Sequence, residues 1–173
     1  IFTRFFNERC ISVIKGNHDN WEAKETGEDF VAYLARLIKT PYLWYGGEIN
    51  IRFGHHVYNL HVRHSYKYNS SLNTTNSQRN LFAATHADII ALGHIHNNEI
   101  HDKSAGGKDT VWIRSGSYKI TDDFSQWIGG YAADPRIPMV VIYPHGQKKK
   151  IIPFRDFRDG IKFLKAEREK YPL

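Results

Sequence analysis

At 173 residues, 41% hydrophobic and 24% charged, the chain has the composition of one globular domain and is too short to make two domains the default. Its formal charge of +6 and pI near 9.4 favour anionic ligands without demanding a nucleic acid, and no apolar run approaches the roughly 18 residues that cross a bilayer. A single cysteine, Cys10, excludes an internal disulfide and suits a reducing, cytoplasmic setting with no membrane partner.

The opening "IFTRFFNERC" reads as the last turns of an amphipathic helix, so the chain is expected to start upstream of Ile1. Cys10 to Lys15 is β-branched, apolar and stopped by Gly16, which predicts a buried strand that delivers a loop. Phe30, Val31, Leu34, Leu37 and Ile38 recur at helical spacing, predicting a helix over Glu28 to Lys39 that Pro41 closes. Two strands follow, Glu48 to Phe53 and His56 to Val62, with "FGHH" as a hairpin turn. The polar "YKYNSSLNTTNSQ" leads into and caps a helix from about Thr75 to Thr85. Asp88 to Leu92 is a second apolar strand that ends on a glycine, Gly93. "TVWIRSGSYK" and "PMVVIYPHG" read as two further strands, "QKKKIIPFRDFRD" as a basic edge segment, and Gly160 to Lys170 as a charged helix. The alternation of strands and helices makes this an α/β protein, a single domain over residues 1–173.

Chemistry concentrates where two of these strands end. "KGNHDN" and "LGHIHN" each place a glycine and then histidines at the carboxyl end of a strand, where α/β folds hold their ligands. In an extended segment side chains two apart point the same way, so His94 and His96 can face one cleft. Imidazole is the commonest protein ligand for divalent transition metals. A third group, "LHVRHSY", puts His61 and His64 near the end of another strand. With ten histidines in the chain, a lone His-x-His would more often be a surface pair, and the weight comes from the three groups together.

Gly-Asn-His-Asp, then a histidine after a later strand, then Gly-His-x-His, resembles the ordered signature of the calcineurin-like metallophosphoesterases, by motif over Ile11 to His96. A softer likeness runs through "IRSGSYKITDDF" and "GGYAADPRIPMVVIYP". The resemblance implies a layered α/β/β/α sandwich that hydrolyses phosphate mono- or diesters at a dinuclear centre. It implies that Asn17, His64 and His94 hold one metal, that His96 holds the other, and that His18 acts on the phosphate and leaving group without binding metal. His64 is preferred to His61 as the middle ligand because it stands where strand gives way to loop. The donors suit two divalent ions, manganese, iron or zinc, with manganese favoured. Two such ions clamp a phosphate and supply a nucleophile near neutral pH, while an imidazolium protonates the departing oxygen.

The family's upstream Asp-x-His and Gly-Asp-x-x-Asp motifs, which supply the bridging carboxylate and most ligands of the second metal, are absent from the fifteen residues before Gly16. Three accounts stand: a portion of a longer enzyme, which is favoured; a split enzyme completed by a separate N-terminal fragment or neighbouring subunit; or a relative that lost its chemistry. Alternative functions are a DNA-processing nuclease of the same family, with nucleic acid as partner, and a non-catalytic subunit that holds a phosphorylated partner or nucleic acid. Arg63 and Arg114 are candidate contacts to a substrate phosphate, with an ordinary surface arginine as the plainer reading. Asp19 reads as a cap, His61 as an outer-face strand residue, and His55, His56, His86, His101 and His145 as surface. Lys148 to Lys150 reads as a solvated edge, and Trp21, Trp44, Trp112 and Trp127 as core or rim before stacking platforms. Substrate choice is expected to reside in "SYKYNSSLNTTN" and "QWIGGYAADPR".

Overall fold

A computed structural model describes residues 6, 9–67, 72–105, 107–117 and 135–170, with only the backbone at residue 105. Its centre is a five-stranded mixed sheet in the order β1-β2-β3-β5-β4. The hairpin of β1 (Gly46–Phe53) and β2 (His56–Arg63) runs in register from Phe53 opposite His56 to Gly46 opposite Arg63. Gly54 makes its turn at φ +58, with its backbone pressed against Pro144, so a side chain there would meet both strain and a clash. Helix α3 (Asn76–Thr85) then carries the chain to β3 (Ile89–Leu92), which lies parallel to β2. Strand β5 (Lys108–Arg114) pairs parallel to β3, and β4 (Glu99–Ala105) closes the sheet antiparallel to β5.

Alternation along β3 and β5 divides two cores. Ile90, Leu92 and Trp112 pack with Leu81 and Phe82 of α3 and with Ala87. Ile89, Val111 and Ile113 face the other way, against Val140, Ile142 and Ile151 of a second, antiparallel sheet. That sheet comprises β6 (Met139–Ile142) and β7 (Ile151–Phe154), and helix α4 (Phe157–Lys170) covers it, with Gly160 seated on Met139 and Phe154. The order of layers is therefore helix, five strands, two strands, helix: the α/β/β/α sandwich that the resemblance implied. Polar ties cross the layers. The wholly buried Tyr58 donates its hydroxyl to Tyr143 O at 2.7 Å. Asp88, also buried, accepts Asn59 N at 2.7 Å and pairs with Lys108 and Lys149 at 2.8 and 2.7 Å. Burial alone would raise its pKa, but the Asn59 amide and the two lysines hold the carboxyl below its ordinary value.

Two helices precede the sheet. α1 (Asn17–Thr26) starts from Gly16, whose amide donates to Asp19 Oδ2 at 2.7 Å, and it ends at Gly27 with φ +77. α2 (Phe30–Leu37) is capped by Asp29, which accepts Ala32 N at 2.9 Å, and it buries Val31 and Ala35.

The sequence reading differs from the structure in four places. Cys10 to Lys15 is not a strand: it makes one parallel bridge, Val13 with Tyr42, and three backbone bonds to residues 41–44. The ladder stops because Trp44 turns out of extended geometry at φ +53. "NHDN" is the first turn of α1 rather than a loop, since Asp19 reaches back from that turn to accept the Gly16 amide. β4 was not foreseen, because an edge strand reading "EIHDKSA" has too few apolar residues to announce itself. Thr75 occupies the cap position of α3, but its side chain makes no capping bond. Most of the predicted opening helix, Trp127, and much of the stretches after Gly116 and Ser65 lie outside the described residues. No helix among the described residues is long and apolar enough to cross a membrane.

Candidate metal centre

Three segments distant in sequence bring their polar side chains to one place. His64 follows directly on β2, and its backbone N donates to Tyr45 O at 2.8 Å. His64 Nε2 lies 2.8 Å from Asn17 Oδ1, on the first turn of α1, and 3.0 Å from His94 Nδ1, beyond the end of β3. An amide oxygen offers only lone pairs, so these atoms can share the space in two ways: a proton on His64 Nε2 donates to both neighbours, or a cation sits among three lone-pair donors. Donors bound to one ion at 2.0–2.2 Å and at right angles stand about 3 Å apart, which is the spacing observed. The donor set therefore fits a divalent transition metal.

The local backbone enforces the cluster. Arg63 pairs with Leu92 in the parallel ladder, and Gly93 N donates to Arg63 O at 3.1 Å, so His64 and His94 leave the sheet at the same level. His94 takes φ +69, a costly conformation for a residue with a Cβ, of the kind that persists where surrounding structure over-determines it. Gly16 lies against the imidazole: a Cβ placed there would stand 3.0 Å from His64 Cε1 and 3.3 Å from His64 Nδ1. Burial lowers the pKa of His64, with His94 adding to the effect, and burial likewise lowers that of His94, with His96 and Arg114 contributing. Both shifts favour the neutral imidazole, the form that ligates metal.

His18 and His96 lie close enough to act electrostatically on the cluster, but neither contributes a hydrogen bond to it. Both are exposed, and His18 rests on Trp21 at 4.7 Å between ring centroids. Asp19, whose charge is also felt at His64, is tied to Gly16 N. Among the described residues no group of three or more His, Cys, Asp or Glu is gathered at metal-binding range, and the third donor beside His64 and His94 is the Asn17 amide. Arg63 is half-buried, with its guanidinium over the Tyr66 ring at 5.6 Å. Arg114 is wholly buried and donates to Thr74 O at 2.6 Å and Gly93 O at 3.4 Å, bracing the turn that carries His94. His61 is buried in the sheet beside Glu48 and Ile90, apart from the cluster, with neither ring nitrogen hydrogen-bonded.

Sequence reasoning did not single out the packing of Gly16 on His64 or the placement of Trp44 and Tyr45 next to the cluster. The aromatic "LWYGG" before the first strand was the available signal for the latter. An apolar-walled hollow of about 590 Å³ opens elsewhere, along α2 between Ala32, Arg36 and Tyr42, and contains no imidazole or carboxylate to carry chemistry.

No protein-family model matches the chain, and no curated protein matches it in sequence. Solved structures similar to it include wild-type Vps29 from Entamoeba histolytica complexed with Zn²⁺, at 13% identity over 88% of this chain and 86% of that one, with a TM-score of 0.45. Vps29 from Cryptosporidium parvum is similar at 11% identity over 73% of this chain and 74% of that one, TM-score 0.36. A Thermotoga maritima protein solved by NMR in solution is similar at 13% identity over 73% and 72%, TM-score 0.35.

Proposed function

We propose that the chain carries one half of a phosphoesterase site that hydrolyses phosphate mono- or diesters with two divalent metals. The observation that supports this most is the meeting of Asn17 Oδ1, His64 Nε2 and His94 Nδ1 from three separate segments at 2.8 and 3.0 Å. In this reading those three hold one ion, His96 belongs to the second, and manganese is favoured over iron and zinc. When bound, the ions supply Lewis acidity toward phosphoryl oxygens. The chain's own residues do the rest. His18, exposed on the first turn of α1, holds a proton for the departing oxygen. Arg63, at the end of β2, is a candidate contact for substrate phosphate, while Arg114 holds Gly93 and so positions His94. Carboxylates that complete the second metal would come from upstream sequence of a longer enzyme, from a separate N-terminal fragment or from a neighbouring subunit.

A second reading, a non-catalytic subunit that holds a phosphorylated partner, is favoured by one feature: no carboxylate joins His64 and His94 as a third ligand among the described residues. The two readings separate on one experiment. The purified chain is reconstituted with Mn²⁺, desalted and its metal counted by mass spectrometry beside His94→Ala and His18→Ala. Metal lost in His94→Ala and retained in His18→Ala, with turnover lost in both, supports the phosphoesterase. Equal metal in the chain and in His94→Ala overturns the site.

A further inference from the structure

Two indoles stand exposed beside this cluster, and the fold goes to some expense to place one of them. Trp44 is 60% exposed. It also adopts φ +53, a left-handed conformation that is costly for a bulky L-residue and that glycine or asparagine would accept more easily. Its backbone is fixed from both sides by the candidate centre. Trp44 O accepts from Lys15 N at 2.7 Å, one residue before Gly16, and the next carbonyl, Tyr45 O, accepts from His64 N at 2.8 Å. The ring itself is held. Tyr42 lies nearly parallel to it, 5.9 Å away at 15°, and the buried Lys15 sets its ammonium 4.4 Å from the ring centroid. Lys15 is kept there by Asp29 at 3.2 Å, which also accepts the Tyr42 hydroxyl at 2.7 Å.

This is an indole oriented by an aromatic ring, an ammonium and a carboxylate, and then left open to solvent. Tyr45, 39% exposed, adds a tilted ring 6.5 Å from Trp44. On the other side of the Gly16 turn, Trp21 is 55% exposed and packs against His18, the residue assigned to the departing oxygen. Other rings of this chain are exposed too, Phe30 among them, but Trp44 is also held by an ammonium that is itself tied to a carboxylate. A fixed, exposed ring whose backbone is bonded to the residue before Gly16, and whose neighbour Tyr45 is bonded to His64, is suited to stack on a planar substituent of the ester.

We propose that Trp44, assisted by Tyr45 and Trp21, is a stacking subsite for a planar aromatic group on the phosphoester, a nucleobase or an aryl alcohol. This inference rests on the phosphoesterase reading and names its substrate class. The cation against Trp44 draws charge from the ring and improves its stacking on electron-rich partners, which also favours a purine or phenyl group over an aliphatic one.

The test uses two ligands that cannot be hydrolysed, phenylphosphonate and methylphosphonate, titrated calorimetrically into the Mn²⁺-reconstituted chain. Stacking on one aromatic side chain predicts about tenfold tighter binding of phenylphosphonate. Trp44→Ala is expected to bring phenylphosphonate to the level of methylphosphonate and to leave methylphosphonate unchanged, while Trp44→Phe keeps most of the preference. Near-UV circular dichroism of the remaining tryptophans checks that both variants fold, and Trp44→Phe retains a ring in case the alanine variant does not. Equal affinities for the two phosphonates, or a preference that survives Trp44→Ala, overturn the stacking subsite while the phosphate site stands. Failure of both phosphonates to bind overturns the phosphoesterase reading and the subsite with it.

Discussion

Two glycines flank the candidate centre, and they predict opposite outcomes for the same substitution. In Gly16→Ala the backbone φ of −92° suits alanine, so the cost is steric and local. The new Cβ would lie 3.0 Å from His64 Cε1, some tenths of an ångström inside ordinary contact, with Asp19 Oδ2 and His64 Nδ1 both at 3.3 Å. The ring cannot retreat freely, because Nε2 is fixed between Asn17 and His94 and the backbone N is bound to Tyr45 O. Overpacking of this kind costs about 1–2 kcal/mol, to which the poorer capping of α1 by alanine adds a few tenths. The same displacement moves a nitrogen of the proposed ligand set, and disturbing a ligand's support lowers metal affinity about 10- to 100-fold. In Gly93→Ala the Cβ would meet only His64 O at 3.5 Å and Nδ1 at 3.6 Å, ordinary contacts, and metal affinity is expected to hold within about twofold. Competition with a chromophoric chelator measures affinity, and urea titration measures stability. If Gly16→Ala binds metal as tightly as the parent, the packing of Gly16 on His64 has no bearing on the centre and the reasoning fails.

Other outcomes follow from the same interactions. His18→Ala is expected to keep bound metal and lose about 10²- to 10⁴-fold in turnover of an aryl phosphate, and an unchanged rate would remove His18 from the chemistry. Asp88→Ala strands the buried Asn59 N–H and releases two lysines, each with its side chain about a third exposed, and should cost about 2–3 kcal/mol by urea unfolding. Because the folded carboxyl titrates below its ordinary value of 3.8, that contribution is complete above about pH 4 and disappears as pH falls further; a parent-minus-variant difference that grew on acidification would contradict it. His61 runs in a higher window. Burial lowers its pKa from 6.5, so the unfolded chain takes up a proton first, and stability complete above pH 6.5 declines as pH falls. His61→Leu, which removes two unpartnered ring nitrogens, should flatten that decline by up to about 1.4 kcal/mol per pH unit, and identical slopes in urea midpoints from pH 7.5 to 5.5 would refute it.

How much of this was legible in the sequence depended on whether the controlling interaction was local. The β1–β2 hairpin and α2 follow from alternation, a glycine turn and an Asp29 cap, all within a few residues, and they appear nearly where periodicity put them. The four proposed ligand and proton-carrying positions nearest the centre, Asn17, His18, His64 and His94, were named from motif order, and the structure gathers Asn17, His64 and His94 directly. Long-range terms were hidden. Nothing in "KKK" reveals that Lys149 neutralises a buried Asp88 sixty-one residues away, or that Lys150 lies 4.5 Å above the Tyr143 ring. Nothing in "CISVIK" reveals that the segment it bridges turns away at Trp44. His61 alternates as an outer-face residue would, but α3 covers that face of the sheet and buries it.

The topology explains why the centre forms where it does. Strands β2 and β3 are parallel, and their register sets Arg63 beside Leu92 as the last pair. In a parallel pair both chains leave the sheet in the same direction, so the residues that follow, His64 on one and Gly93-His94 on the other, are neighbours without any loop folding back. The segment from Val13 to Lys15 runs parallel to residues 42–44 and delivers Gly16-Asn17 to the same edge, because Tyr45, the next residue along, is the one bonded to His64 N. An antiparallel arrangement would have sent at least one of these histidines to the opposite edge. Gly16 then sets the last ångström by having no Cβ to displace the His64 ring, and His94 by its left-handed backbone. Sheet direction fixes which residues meet, and backbone detail fixes that they meet at metal-ligand spacing.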